Sequence, residues 1–169
     1  MTGDDRSPHA PVPLREETRP GGGAASQTLD AQLCFALQST TQALGRVYAR
    51  KLAPFGLTYT QYLVLLVLWE RGEASVKDLG AALFLDSGTL TPVLKRLEAA
   101  GHVTRRRDAA DERRVLVSLS ASGQALQDAL ASLPGEIAAL GADTGVDLAR
   151  LKRDLESLRA ALVASADEA

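Results

Sequence analysis

The sequence predicts a mainly α fold with one small β-hairpin, and three observations carry that expectation. Hydrophobic residues make up 46% of the 169-residue chain but aromatic ones only 4%, a composition that suits helices packed on helices. Leucines recur at three- and four-residue intervals through most of the length, the period of one helix face. One stretch breaks that rhythm: Val103-Thr104-Arg105-Arg106-Arg107 and Val115-Leu116-Val117-Ser118-Leu119 are short runs around an acidic turn, which reads as a hairpin. A chain of this length can bury a real core as one domain without disulfides or metal.

Residues 1–27 carry four of the seven prolines and Gly21-Gly22-Gly23 and read as a disordered arm; residues 28–169 are expected to form a single domain. A first helix begins near Thr28 or Asp30, with Leu29, Leu33, Leu37, Leu44, Tyr48 and Leu52 along one face, and ends at Pro54 and Gly56. Thr58 with Gln61 forms a capping box for a second helix, through Tyr62, Leu65, Leu66 and Trp69 to Gly72. Ser75 with Asp78 opens a short third helix. Asp86 or Ser87 caps a fourth, in which Leu90, Leu94 and Leu97 face inward. Pro92 is tolerable there only within about the first turn, and Gly101 supplies the stop. Two strands joined across residues 108–112 follow.

From Ser120 a long helix carries Leu126, Leu130, Leu133, Ile137 and Leu140, bent at Pro134. After Gly141 and Thr144 a last helix repeats the rule with Leu148, Leu151, Leu155, Leu158 and Leu162. An intramolecular helical hairpin could use such seams. Leucines at seven-residue repeats favour packing across a partner, so residues 28–54 and 120–166 are expected to be dimerisation helices around a core at 57–119.

Net charge is −2, which by itself speaks weakly against nucleic acid, but distribution matters more than the sum. Residues 92–118 hold seven Lys/Arg against four Asp/Glu, whereas residues 119–169 hold four against eight. Positive charge is gathered on the hairpin and the helix before it. No apolar run approaches a membrane span, and residues 1–23 do not resemble a signal peptide. The one cysteine cannot form an internal disulfide, so a cytoplasmic location is expected. His9 and His102 have no metal-like company; no metal or cofactor is expected.

Two short helices followed by a cationic ribbon describe a winged helix-turn-helix, a device for reading duplex DNA. Its recognition helix must show small polar side chains at the N-terminal end, which enters the major groove first, and Ser87, Gly88, Thr89 and Thr91 meet that demand. Lys95 and Arg96 are placed for phosphates or a guanine edge. In the hairpin, Arg105, Arg106, Arg107, Arg113 and Arg114 can straddle the adjacent minor groove. Asp111 is expected to brace Arg113 or Arg114. Any single arginine in such a run is as easily a solvated surface charge; the cluster is harder to dismiss.

The run Asp86-Ser87-Gly88-Thr89-Leu90-Thr91-Pro92-Val93-Leu94-Lys95-Arg96-Leu97, followed by Arg105-Arg106-Arg107-Asp108 and Asp111-Glu112-Arg113-Arg114-Val115-Leu116-Val117, resembles the MarR family of winged-helix transcription regulators. The similarity extends from about Leu29 to the last helix. It implies a regulator rather than an enzyme: a homodimer with interlocking terminal helices whose wings grip a palindromic operator of double-stranded DNA. Within that family, Leu33-Cys34-Phe35-Ala36-Leu37 and Tyr59-Thr60-Gln61-Tyr62-Leu63 are similar to the organic-hydroperoxide-resistance (OhrR) branch, of the one-cysteine type. By that resemblance Cys34 is the peroxide-reactive residue, and Tyr48 and Tyr59 reach its thiolate from the partner subunit. Where some members place an aromatic residue one turn past the cysteine, this chain has Gln38, which implies a more polar or differently shaped pocket.

The chemistry requires a thiolate, because the thiol does not attack peroxide. With a helix start near Asp30, Cys34 is expected about one turn inside. Phe35, Leu37 and Leu63 supply apolar surface, worth about 1–3 kcal/mol per well-buried group toward an organic hydroperoxide. The sulfenic acid product can condense with a low-molecular-weight thiol. Without the resemblance, a lone helical cysteine reads as inert and buried. Two other readings remain: a MarR-type repressor released by a small aromatic or phenolic ligand with Cys34 a bystander, and a thiol peroxidase, disfavoured because no second cysteine recycles the first.

Overall fold

The computed structural model describes residues 27–167, apart from residue 112 and the side chains of residues 143 and 167. The arm expected over residues 1–27 therefore lies outside them except for Gln27. The chain divides into two compact units, Met1–Thr41 and Gln42–Ala169.

In the first unit a 3-10 turn at Leu29–Ala31 precedes the start of helix α1, Leu33–Leu52, whose residues from Gln42 onward belong to the second unit. Gln32 between them is extended, with φ −90° and ψ 118°. The expected helix start near Thr28 or Asp30 is thus corrected. The turn at Leu29 is real, but extended Gln32 interrupts it, and continuous α-helix begins at Leu33.

The second unit holds helices α2 (Tyr59–Arg71), α3 (Val76–Leu83), α4 (Ser87–Ala99), α5 (Ala121–Ala129), α6 (Leu133–Ala139) and α7 (Leu148–Asp167). Strands β1 (Glu73–Ser75), β2 (Val103–Arg107) and β3 (Val115–Leu119) form an antiparallel sheet in the order β1-β3-β2. The expected caps form as read: Thr58 and Gln61 make one reciprocal box, and Ser75 and Asp78 another. Each satisfies backbone donors that a helix start leaves open. Asp86 caps α4 by accepting the Thr89 N–H. Leu90, Leu94 and Leu97 are buried beneath that helix beside Leu65, Leu68 and Leu79, each contributing about 2 kcal/mol of apolar burial. Gly101 takes a φ of 77° past the helix end, a left-handed conformation that glycine adopts without strain.

Four expectations are corrected. The ribbon has a third strand, because β1 pairs with the open edge of β3, Glu73 opposite Ser118. The connection between β2 and β3 runs over residues 108–114, so Arg113 and Arg114 precede the strand. It is closed by Asp108 N–H to Arg114 O at 2.9 Å and Arg114 N–H to Asp111 O at 2.8 Å. The long helix after Ser120 is two helices, α5 and α6, and Pro134 sits in the first turn of the second, where its missing N–H costs nothing. The break between them stays in the core, since Leu130 and Leu133 are both buried. Pro92 lies in the second turn of α4, later than expected; the Gly88 carbonyl it leaves without a helix partner belongs to an exposed residue.

Gly123 fixes the root of the wing. A Cβ there would lie 2.0 Å from the His102 carbonyl oxygen, so only glycine lets α5 press against the start of β2. The same junction is tied by Ser120 N–H to His102 O at 3.0 Å. Among the described residues no single helix is long and apolar enough to cross a membrane.

Candidate functional site

The N-terminal end of α4 is open to solvent: Ser87, Gly88, Thr89 and Thr91 are all exposed, as are Lys95 and Arg96 further along. Two of its hydroxyls already donate within the protein. Thr89 Oγ1 bonds Asp86 Oδ2 at 2.8 Å, and Thr91 Oγ1 bonds the Ser87 carbonyl at 2.6 Å. With their protons committed, both oxygens are presented outward as acceptors. Asp86 is held below the ordinary carboxylate range by the Thr89 backbone N–H and then its hydroxyl.

The hairpin's arginines differ in their surroundings. Arg105 donates from Nε at 2.8 Å and from Nη2 to Oε2 of Glu98, in the last turn of α4. Arg106 Nη2 reaches both carboxylate oxygens of Glu73 at 3.0 Å. Arg114 lies 3.7 Å from Asp78 and 3.6 Å from Asp108. Arg113 is 97% exposed and stands 3.9 Å from Asp111, which also accepts its backbone N–H at 3.1 Å. The expected bracing by Asp111 therefore falls on Arg113, and Arg114 has other carboxylates. Arg107 is exposed at the end of β2. A groove of about 680 Å³ opens between α3, α4 and the hairpin, lined by Asp78, Thr91, Arg105, Asp111, Arg113 and Arg114 among others.

The sensor candidates divide between the two units. In the first, Cys34 is the second residue of α1 and is exposed. It therefore sits in the first turn, not one turn inside as expected from a start at Asp30, because the helix begins after Gln32. Gln38 is also exposed. In the second unit Tyr48 and Tyr59 stack with ring centroids 4.4 Å apart, and Tyr48 lies 5.9 Å from Tyr62. Burial raises the pKa of both Tyr48 and Tyr59, and for Tyr48 repulsion from the neighbouring phenols adds to it. Both phenols stay protonated at neutral pH and keep an O–H to donate.

A family model described as transcriptional regulator SarA/Rot matches residues 46–130. The HTH-type transcriptional regulator TtmR of Methylorubrum extorquens (strain PA1) is 52% identical over 132 residues, 78% of this chain and 66% of that relative's own length. The organic hydroperoxide resistance transcriptional regulator of Bacillus subtilis (strain 168) is 45% identical over 130 residues, 77% of this chain and 88% of the relative. The chain belongs to the MarR family of winged-helix transcriptional regulators. Among solved structures, this MarR-type regulator is similar to reduced AbfR of Staphylococcus epidermidis bound to DNA, with a TM-score of 0.70, 37% identity, and 79% and 92% of the two chains covered. Against the disulfide-formed state of AbfR the TM-score is 0.58 at 36% identity, with 80% and 92% covered.

Several residues that shape this regulator's candidate interface had no signal in the sequence. Glu73, Glu98 and Asp108 partner hairpin arginines, yet nothing in spacing marks a pair such as Arg106 and Glu73, 33 residues apart. Trp69 joins the aromatic group, its ring 6.1 Å from Tyr62 and its Nε1 donating to Gly123 O at 3.0 Å. The only cue for that role was its place on the second helix.

Proposed function

We propose that this regulator is a DNA-binding repressor that senses organic hydroperoxides through Cys34 and then releases its operator. The observation that carries the reading is the exposed Cys34 at the start of α1, in a chain 45% identical to an organic hydroperoxide resistance regulator. The stacked, protonated Tyr48 and Tyr59 supply donors for a thiolate in a homodimer. Ser87, Gly88, Thr89 and Thr91 enter the major groove, Lys95 and Arg96 meet phosphates or a guanine edge, and the hairpin arginines straddle the adjacent minor groove.

The chemistry closes without a further oxidant. The Cys34 thiolate attacks one peroxide oxygen; a sulfur–oxygen bond forms as the oxygen–oxygen bond breaks. The leaving alkoxide takes a proton to become an alcohol, so sulfur is oxidised by two electrons and the peroxide reduced by two. The sulfenic acid then condenses with a low-molecular-weight thiol, forming a disulfide and releasing water. Either product ends the hydrogen bonds made to the thiolate.

The second reading, release by a small aromatic or phenolic ligand, draws support from the groove lined by Val76, Thr91, Leu94, Arg113 and Asp111 among others, whose mixed apolar and polar walls suit a small ring carrying a hydroxyl. Titrating a duplex selected by the protein from a random-sequence pool, with and without cumene hydroperoxide, separates the two. Wild type should leave the duplex on oxidation and Cys34→Ser should stay bound. A serine variant that still leaves would end the redox reading.

A further inference from the structure

Three arginines of the hairpin are each tied to a carboxylate on a different element of the module. Arg105 on β2 holds Glu98 on α4 with two donors on one oxygen, and is 27% exposed. Arg106, the next residue and so on the other face of the strand, reaches over the central strand to Glu73 on β1. Arg114, at the end of the loop, pairs with Asp78 on α3 and with Asp108 at the loop's start. Asp78 is itself fixed by the Ser75 capping box, accepting from the Ser75 hydroxyl at 2.7 Å. Arg107 is exposed and has no ion pair among the described residues, and Arg113, 97% exposed, meets Asp111 of its own loop at 3.9 Å and no carboxylate on another element among the described residues.

We infer that Glu73, Asp78 and Glu98 are positioning residues for DNA binding, holding the hairpin through Arg106, Arg114 and Arg105 so that Arg107 and Arg113 reach the duplex. The inference rests on the DNA-binding reading above. Its physical content is a reversal of sign. Removing a carboxylate from a cationic surface raises the local potential and by Coulomb's law strengthens attraction to phosphate. If the carboxylate is a strut, its loss frees the hairpin, and the two outward arginines lose their register. Isolated pairs of this exposure contribute little to global stability, so the effect belongs in binding rather than in melting.

The test measures fluorescence anisotropy of the selected duplex across a salt series, using full-length protein. Glu73→Gln and Glu98→Gln should each bind about twofold to fivefold more weakly than wild type. The slope of log Kd against log salt should become shallower by up to about 0.9 for each phosphate no longer neutralised, a readout that mere destabilisation would not move. The charge swap Glu73→Arg with Arg106→Glu keeps net charge and should recover most of the affinity that Arg106→Glu alone removes; it also carries the test if Glu98→Gln does not fold. Gln variants that bind as tightly as wild type or tighter, or a swap as weak as Arg106→Glu, would overturn the inference while leaving the DNA-binding reading intact. A wild-type protein that selects no duplex would overturn both.

Discussion

Thr89 donates both its backbone N–H and its hydroxyl to the Asp86 carboxylate, each at 2.8 Å. Gly88 between them makes room, since a Cβ there would lie 2.9 Å from Asp86 Oδ1. One acidic residue therefore closes the start of the reading helix and also decides which atoms of Thr89 face outward.

That arrangement gives the module a pH dependence with a definite sign. Asp86 is held low by the Thr89 N–H, Asp78 by the Ser75 hydroxyl and Glu98 by Arg105. A carboxyl whose folded pKa is depressed stabilises above its unfolded value, near pH 4, and that stability is lost as pH falls through the lower folded value. Asp86→Asn keeps a capping oxygen but removes the titration. Its acid-unfolding limb, followed by far-UV circular dichroism, should be flatter than that of wild type, and its melting at neutral pH lower, because the ionised carboxylate's contribution is gone. An equally steep limb would remove Asp86 from the acid-sensitive set.

Gly123→Ala should be among the most disruptive small substitutions in the regulator. The new methyl would sit 2.0 Å from the His102 carbonyl, so α5 or the root of β2 must shift, at a cost of about 1–3 kcal/mol. Gly135→Ala, where nothing lies within 4 Å, should be neutral or stabilising by about 0.5–1 kcal/mol. Urea denaturation of both variants checks the contrast, and equal midpoints would mean the α5–β2 junction is looser than described.

Local signals were legible wherever chemistry acts over three or four residues. The boxes at Thr58–Gln61 and Ser75–Asp78, the Asp86 cap, the Gly101 stop and the two long strands could all be read from spacing. Strand β1 could not, because its three residues carry no alternation and exist as a strand only through the edge of β3. The break between α5 and α6 was hidden for a related reason: Leu126, Leu130, Leu133 and Ile137 keep a helical period across it, and the core accepts the leucines either way. Among candidate site residues, the sequence marked every arginine alike. Their division into paired and outward groups depends on carboxylates brought near by folding, from residue 73 to residue 98.

On the proposed sensor reading, Tyr48→Phe should slow oxidation of Cys34 without weakening DNA binding by the reduced protein. The substitution preserves the 4.4 Å stack on Tyr59 and removes only the O–H. Loss of one hydrogen bond to an anion should reduce the rate of thiol loss under cumene hydroperoxide roughly tenfold. A time course with a chromogenic thiol reagent measures it. An unchanged rate would exclude Tyr48 as a donor to the reacting sulfur.

Helix α7 bears on the proposed homodimer. Leu148, Leu151, Leu155 and Leu162 remain 40%, 41%, 39% and 59% exposed, spaced so that they fall along one side of twenty residues of helix. Water against so long an apolar stripe is unfavourable, by about 1 kcal/mol for each leucine whose remaining exposed surface a partner could bury. Light scattering of the wild type should therefore give twice the 17.9 kDa chain mass. Leu151→Asp should weaken the dimer about a hundredfold or more, because each substitution is counted in both subunits and replaces burial with a charge. A wild type that stays at 17.9 kDa at high concentration would leave the stripe unexplained and would remove the partner subunit that the Cys34–tyrosine chemistry requires.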